Sequence, residues 1–298
     1  MIKLFWNTHN HKKPSSEDKT IREKQELDYG WGQYHKKSSD KWIYAILKKI
    51  KYNTIASIAS LEKEDILIIV DSGVEEKSEL YNKLSLCCAK IFLFHLGDEF
   101  GFYDLSSVYN NCNYIWRPFC QSKYFNNKKV KCIPLGYKSG VVFKQKSNRK
   151  YKWAFTGTPH KSSRHDLLFQ FSDIKPFFCH KTQKFDVKNI SVDVMNEVLS
   201  STEFIPCPYG FFHPETYRLY EALECGCIPV VENAYKYYDR LFPNNPFLKI
   251  DKWKDAKAIV QGWDEDQIKK TREECKVWWS EQKNNIQDFI LKFFVIYW

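Results

Sequence analysis

"TEFIPCPYGFFHPETYRLYEALECGCIPVV", residues 202–231, reads as strand, loop, helix and strand in one run. "TEFIPC" is a short apolar strand, and the loop after it contains Gly210. "TYRLYEALECG" reads as a helix stopped by Gly226, and "CIPVV" as the next strand. Pro214 stands near the helix start, where its fixed φ is compatible with the first turn.

The same alternation extends in both directions. Upstream, "YKWAFTG" (151–157) predicts a strand, the stretch after Arg164 a helix, "IKPFFC" a strand and "SVDVMNEVLSS" a helix. Downstream, "AYKYYDRLF" predicts a helix and "PFLKI" a last strand. Repeated βαβ units imply a parallel sheet covered on both faces.

The first half carries a looser version of the pattern. Residues 2–6, 66–70, 91–94 and 130–134 are apolar strand candidates. A helix bearing Trp42, Ile43, Ile46, Leu47 and Ile50 is expected to begin after Ser39 as N-cap. The polar, basic stretch 139–150 reads as a linker between two α/β domains. From Asp264 onward one or two amphipathic helices are expected, with an aromatic load that helical spacing assigns to packing.

Bulk properties fit this picture. A chain of 298 residues with 43% apolar and 17% aromatic residues can bury a core in each half. The net charge of +10 favours anionic partners, or reflects compositional drift toward lysine. Ten cysteines without a Cys-x-x-Cys pair read as buried free thiols. The start "MIKLFWNTHNHKK" lacks a signal-peptide core, and no run of 18 apolar residues predicts a membrane span. The expectation is a soluble protein of a reducing cytoplasm, microbial or viral.

In open α/β sheets, ligands sit at the carboxyl ends of strands, where helix N-termini point at them. Two segments carry suitable residues there. In "FTGTPHKSSR" (155–164), Gly157 permits close backbone approach, while Thr158, Ser162, Ser163 and Arg164 can donate to phosphate oxygens. In the opening stretch, Thr216 and Arg218 fall in the first helical turn, and Glu221 lies one turn on, along the same face. An Arg for a diphosphate and a carboxylate for ribose hydroxyls would clamp a nucleotide; a surface i,i+3 ion pair would leave the same spacing.

The run "CPYGFFHPETYRLYEALECGCIPVV" resembles the donor-binding signature of exostosin-like glycosyltransferases: a Gly loop, a Ser or Thr, an Arg, then Glu-Ala-Leu, Gly-Cys and Ile-Pro-Val. The likeness continues in "NAYKYYDRLFPNNPFLKIDKW" and in "WAFTGTPHKSSR", over about a hundred residues. It implies an α/β GT-B fold, two Rossmann-like domains facing a central cleft. Residues 1–145 would form the acceptor-binding domain, 146–263 the nucleotide-sugar domain, and 264–298 helices packing across both. It implies a UDP-sugar donor, a glycan acceptor, inversion at the anomeric carbon, and no required cofactor or metal. Carried over by position, Arg164 and Arg218 would hold the diphosphate beside Gly157, and Thr216 would add a hydroxyl contact. Glu221 would bind the ribose, and Tyr209 with Gly210 would flank the uracil. "HPET" departs from the usual Ser-Pro-x-Ser, which weakens the transfer for His213 and Thr216. "YIWRPF" and "CIPLGYKSG" are similar to the xylosyltransferase branch, which implies UDP-xylose.

Inverting transfer needs a base for the acceptor hydroxyl. Asp71, directly after "ILIIV", and Asp98 with Glu99, after "IFLFHLG", place carboxylates just past apolar strands. Asp71 is the preferred candidate, although a helix-capping role would also put it there. His95 orients the acceptor or is a satisfied core histidine. Acceptor pockets would be built by N-terminal loops such as residues 7–36. Two other readings stay open: an inert nucleotide- or glycan-binding protein on the same scaffold, and a nucleic-acid binder, against which the sequence shows neither an aromatic RNA-binding box nor a zinc finger.

Overall fold

The computed structural model describes residues 1–8, 31–144, 148–182 and 190–295. Most of the 7–36 segment expected to shape the acceptor pocket, and part of the expected linker, lie outside the described residues. The chain divides into two units, Met1–Leu135 with Gln287–Trp298, and Gly136–Ile286.

The first unit holds a parallel sheet of β1 (Ile2–Trp6), β2 (Asn53–Ile55), β3 (Ile66–Asp71), β4 (Lys90–His95), β5 (Tyr114–Arg117) and β6 (Val130–Cys132), in the order β2-β1-β3-β4-β5-β6. Its helices are α1 (Trp31–Ile46), α2 (Ser78–Cys87), α3 (Ser106–Tyr109) and α4 (Ser122–Phe125). All six residues of β3 are buried, as expected for a central parallel strand with both faces covered. That is why "ILIIVD" runs apolar without alternation until its last letter.

The second unit runs β7 (Tyr151–Gly157), α5 (Arg164–Gln170), β8 (Phe177–Lys181), α6 (Val192–Ser200), β9 (Thr202–Cys207), α7 (Tyr217–Glu224), β10 (Ile228–Glu232), α8 (Tyr237–Leu241), β11 (Leu248–Ile250), α9 (Trp253–Gly262) and α10 (Glu265–Val295). Its sheet order is β11-β10-β9-β7-β8, every pair parallel. Trp153, Phe155, Leu167, Phe171, Phe204, Val230 and Trp253 fill its core. Helix α10 continues into the first unit, where Phe293 and Phe294 pack on Phe92 and Trp116 at ring-centroid distances of 4.8 to 6.1 Å. The aromatic residues at the C-terminus are therefore core.

Helix α7 ends as its sequence predicts. Gly226 adopts φ +67, and the amide of Cys227 donates back to the Ala222 carbonyl at 2.8 Å. Arg149 covers the same helix end, its Nη2 donating to the Cys225 carbonyl at 2.9 Å and its Nη1 to Leu199 at 3.1 Å.

Two expectations are corrected. Ser39 is a buried residue inside α1 and not its N-cap, because the helix begins at Trp31. Cys120 and Cys132 form a disulfide: β5 and β6 pair in parallel, which brings their Cα atoms to 5.5 Å. Six of the remaining eight cysteines are buried thiols, whereas Cys87 is exposed and Cys179 half-buried. Among the described residues no helix is long and apolar enough to cross a membrane.

Candidate active site

The carboxyl edge of the second sheet gathers most of the residues singled out for nucleotide binding. Strand β7 ends at Gly157 with φ +130, a conformation that L side chains rarely adopt. Arg218 reaches across from the first turn of α7 and donates from Nη2 to the Thr156 carbonyl at 2.6 Å. Its guanidinium also lies over the Phe155 ring at 4.9 Å, which fixes its plane. Arg164, buried at the start of α5, donates to the Thr158 carbonyl at 2.9 Å and to the Tyr209 carbonyl at 3.3 Å. A β-carbon built on Gly157 would stand 3.1 Å from Arg218 Nη2 and 3.9 Å from Arg164 Nη1. Two cationic forks thus converge on one glycine.

The β9–α7 loop supplies the neighbouring groups. Thr216 is the N-cap residue of α7, with extended backbone, yet its hydroxyl makes no capping bond. Its Oγ1 is buried and has no hydrogen-bond partner among the described residues. Burial, reinforced by Glu232 and opposed by a hydrogen bond with the Ala234 backbone, pushes the Tyr209 hydroxyl up to about 12. The Gly210 amide donates to the His213 carbonyl at 3.0 Å, closing the loop on itself. Buried polar atoms without partners are rare, so the Thr216 hydroxyl stands out in this loop.

Glu221 sits half-buried one turn beyond Arg218. Burial raises its carboxyl above the ordinary 4.5, while the Lys138 and Arg218 charges and the Lys138 backbone N–H pull it down. Arg218 and Glu221 are electrostatically coupled, but Arg218 is buried and donates to the Thr156 carbonyl, so the pair is no simple surface salt bridge. Sequence reasoning missed Lys138 and a supporting chain around Glu232. The Trp253 indole donates to Ser163 Oγ at 2.9 Å, and Ser163 donates to Glu232 at 2.7 Å. Glu232 also accepts the Tyr209 amide at 3.4 Å, so it ties α5, the β9–α7 loop and α9 together. No single spacing in the sequence announces that arrangement. Glu215, one residue before Thr216, is fully buried and accepts bonds from the Tyr220 and Tyr237 hydroxyls.

In the first unit, the proposed base Asp71 lies at the end of β3 with its side chain fully enclosed. It accepts from Lys77 Nζ at 2.6 Å, Asn7 Nδ2 at 2.8 Å, Tyr81 Oη at 3.2 Å and the Gly73 amide at 3.2 Å. Burial pushes its carboxyl up against the opposing pull of Lys77. Asp98, after β4, adopts φ +59; one carboxylate oxygen stands 3.5 Å from Arg117 and the other has no partner among the described residues. His95 Nδ1 lies 2.8 Å from the Tyr109 hydroxyl. Among the described residues no group of three or more His, Cys, Asp or Glu side chains could hold a metal ion.

Two parallel sheets covered by helices, one in each unit, are the α/β architecture of the GT-B fold class. A family model described as the RXYLT1 C-terminal domain matches residues 137–295, more than half of the chain, and the chain belongs to that family of glycosyltransferases. Anabaena Alr3699/HepE, crystallised in complex with UDP and glucose, superimposes with a TM-score of 0.53 at 8% identity, over 99% of each chain. An α1,3-fucosyltransferase gives 0.44 at 12% identity, over 96% of this chain and 80% of the other. No curated protein sequence matches the chain.

Proposed function

We propose that the chain transfers a sugar from a UDP-sugar to a hydroxyl of a glycan acceptor, with inversion at the anomeric carbon. The observation that carries this reading is the convergence of Arg164 and Arg218 on Gly157, beside the unpartnered Thr216 hydroxyl. The UDP diphosphate would lie against those guanidinium groups and the N-terminus of α7, where bidentate cationic donors and helix amides offset its charge. Thr216 Oγ1 would add a bond to a phosphate oxygen, Glu221 would accept from the ribose hydroxyls, and Tyr209 with Gly210 would flank the uracil. Charge developing on the departing UDP is met by the same arginines, so this reading requires no metal. Xylose is the proposed sugar, supported by the family to which the chain belongs. The proton acceptor belongs among the carboxylates at the carboxyl edge of the first sheet, where Asp71 and Asp98 stand.

Calorimetry of UDP against wild-type protein, Arg218→Ala and Glu221→Ala tests the donor site. Large losses of affinity are expected in both variants; unchanged affinity in both would remove the assignment. A panel of UDP-sugars, scored by UDP release and by protection against melting, then identifies the donor.

A further inference from the structure

Residues 139–144, the first part of the stretch expected to act as a linker, run against one face of α6. Val192, Asn196 and Ser200 stand at positions i, i+4 and i+8 of that helix and so share the face. Asn196 is the unusual member, an amide side chain in mid-helix that is only 2% exposed. Its Nδ2 donates to the Gly140 carbonyl at 2.9 Å, and its Oδ1 accepts the Val142 amide at 3.1 Å. One side chain thus satisfies the backbone on both sides of Val141, as a neighbouring strand would. One turn further on, Ser200 Oγ is buried and accepts the Lys144 amide at 2.9 Å.

The turn that Asn196 holds is closed and closely seated. The Val141 amide donates to the Lys138 carbonyl at 3.1 Å, and Gly140 adopts φ +90. A β-carbon on Gly140 would stand 3.0 Å from Val192 Cγ1, so glycine is what lets the turn approach α6. Lys138 opens the turn. Its ammonium lies 5.7 Å from the ring centroid of Tyr217, the first residue of α7, and its backbone N–H donates to the Glu221 carboxylate. A continuous path therefore runs from Asn196 through a single turn of backbone to Glu221.

We propose that Asn196 is a positioning residue of the donor site, holding the 138–141 turn so that the Lys138 amide aims the Glu221 carboxylate at the ribose hydroxyls. The proposal rests on the reading of Glu221 as the ribose contact. A bond from the Lys138 amide limits how the carboxylate can turn, and the remaining lone pairs face a ligand in one orientation. Without that anchor the glutamate side chain would have to be ordered at the moment of binding. An apolar side chain at position 196 could fill the same space, but it would set no register for the turn, whereas two bonds to Gly140 and Val142 do.

Calorimetry of UDP, 2′-deoxy-UDP and 3′-deoxy-UDP tests this, on wild type, Asn196→Ala, Lys138→Pro, Lys138→Ala and Glu221→Ala, with melting run on each. Wild type should favour UDP over at least one deoxy analogue by about 10- to 100-fold, the worth of a hydrogen bond to a charged group. That preference should vanish in Glu221→Ala. It should shrink by at least about fivefold in Asn196→Ala and in Lys138→Pro, which removes the amide proton while leaving Asn196 in place. Lys138→Ala retains the amide and should retain the preference, whatever the loss of its charge does to overall affinity. A merely structural role for Asn196 would weaken all three nucleotides alike. A wild-type preference in Asn196→Ala or Lys138→Pro protein that still melts cooperatively would therefore overturn the proposal. So would an equal loss of preference in Lys138→Ala and Lys138→Pro, since the ammonium would then be responsible. Equal binding of the three nucleotides by wild type would remove the Glu221 reading beneath the proposal, and a wild-type protein that binds no UDP would remove the sugar-transfer reading itself.

Discussion

Arg218 and Gly157 stand so close that a β-carbon on the glycine would lie 3.1 Å from Nη2 of the arginine, at a backbone φ of +130. An Ala at position 157 must therefore both strain the chain and push a guanidinium off its carbonyl. Gly157→Ala is expected to destabilise the fold by roughly 1–3 kcal/mol. It should also weaken UDP binding by more than tenfold, since a displaced arginine no longer aligns with a diphosphate. Urea unfolding and calorimetry read the two effects separately, and UDP affinity at the wild-type value would show that the arginines do not act there.

Thr216 offers a cleaner separation of stability from binding. Its hydroxyl makes no cap bond and has no partner among the described residues, so Thr216→Val removes no hydrogen bond seen in the fold. An N-cap threonine that did cap would lose about 1 kcal/mol on truncation. Here thermal stability should hold or rise slightly, while UDP affinity falls by the worth of one hydrogen bond to a charged group, about 1.5–3 kcal/mol. Equal affinities for wild type and Thr216→Val would remove the residue from the site.

The Glu221 carboxyl gives a pH signature. Burial raises it above 4.5, so it protonates at a higher pH than an exposed glutamate. The charged carboxylate is the form that accepts two ribose hydroxyls. UDP affinity should therefore fall as the pH is lowered through that raised value, and the same limb should be missing in Glu221→Gln. The difference between the two profiles isolates Glu221 from titration of UDP itself. Parallel profiles would show that the carboxylate does not touch the nucleoside.

The contrast between the two halves explains what the sequence made legible. "YKWAFTG" and "TEFIPC" correspond residue for residue to β7 and β9, because buried parallel strands are apolar runs ended by Gly or by a Cys-Pro step. Strand β2, three residues at the sheet edge with two of them exposed, has no such signal, and β5 and helix α9 also escaped prediction. Arg164, Arg218 and Gly157 could be placed at one edge because βαβ topology alone fixes where strand ends lie. The partners of Asp71 could not: Asn7 is 64 positions away, and only tertiary packing brings its amide to 2.8 Å.

Asp71 and Lys77 form a deeply enclosed ion pair at the edge of the first sheet, with side-chain exposures of 0% and 4%. Such a pair is held less by its own attraction than by the cost of separating it, because each charge alone would be stranded in a poor solvent. Asp71→Asn should therefore destabilise the protein by about 3–5 kcal/mol, seen as a lower urea midpoint. Replacing both partners, Asp71→Asn with Lys77→Met, should recover much of that loss, since no buried charge remains. Urea titrations of wild type, the single variant and the double variant at one neutral pH check the size of the loss and of the recovery. A single Asp71→Asn variant that unfolds at the wild-type midpoint, while losing turnover, would favour Asp71 as the base.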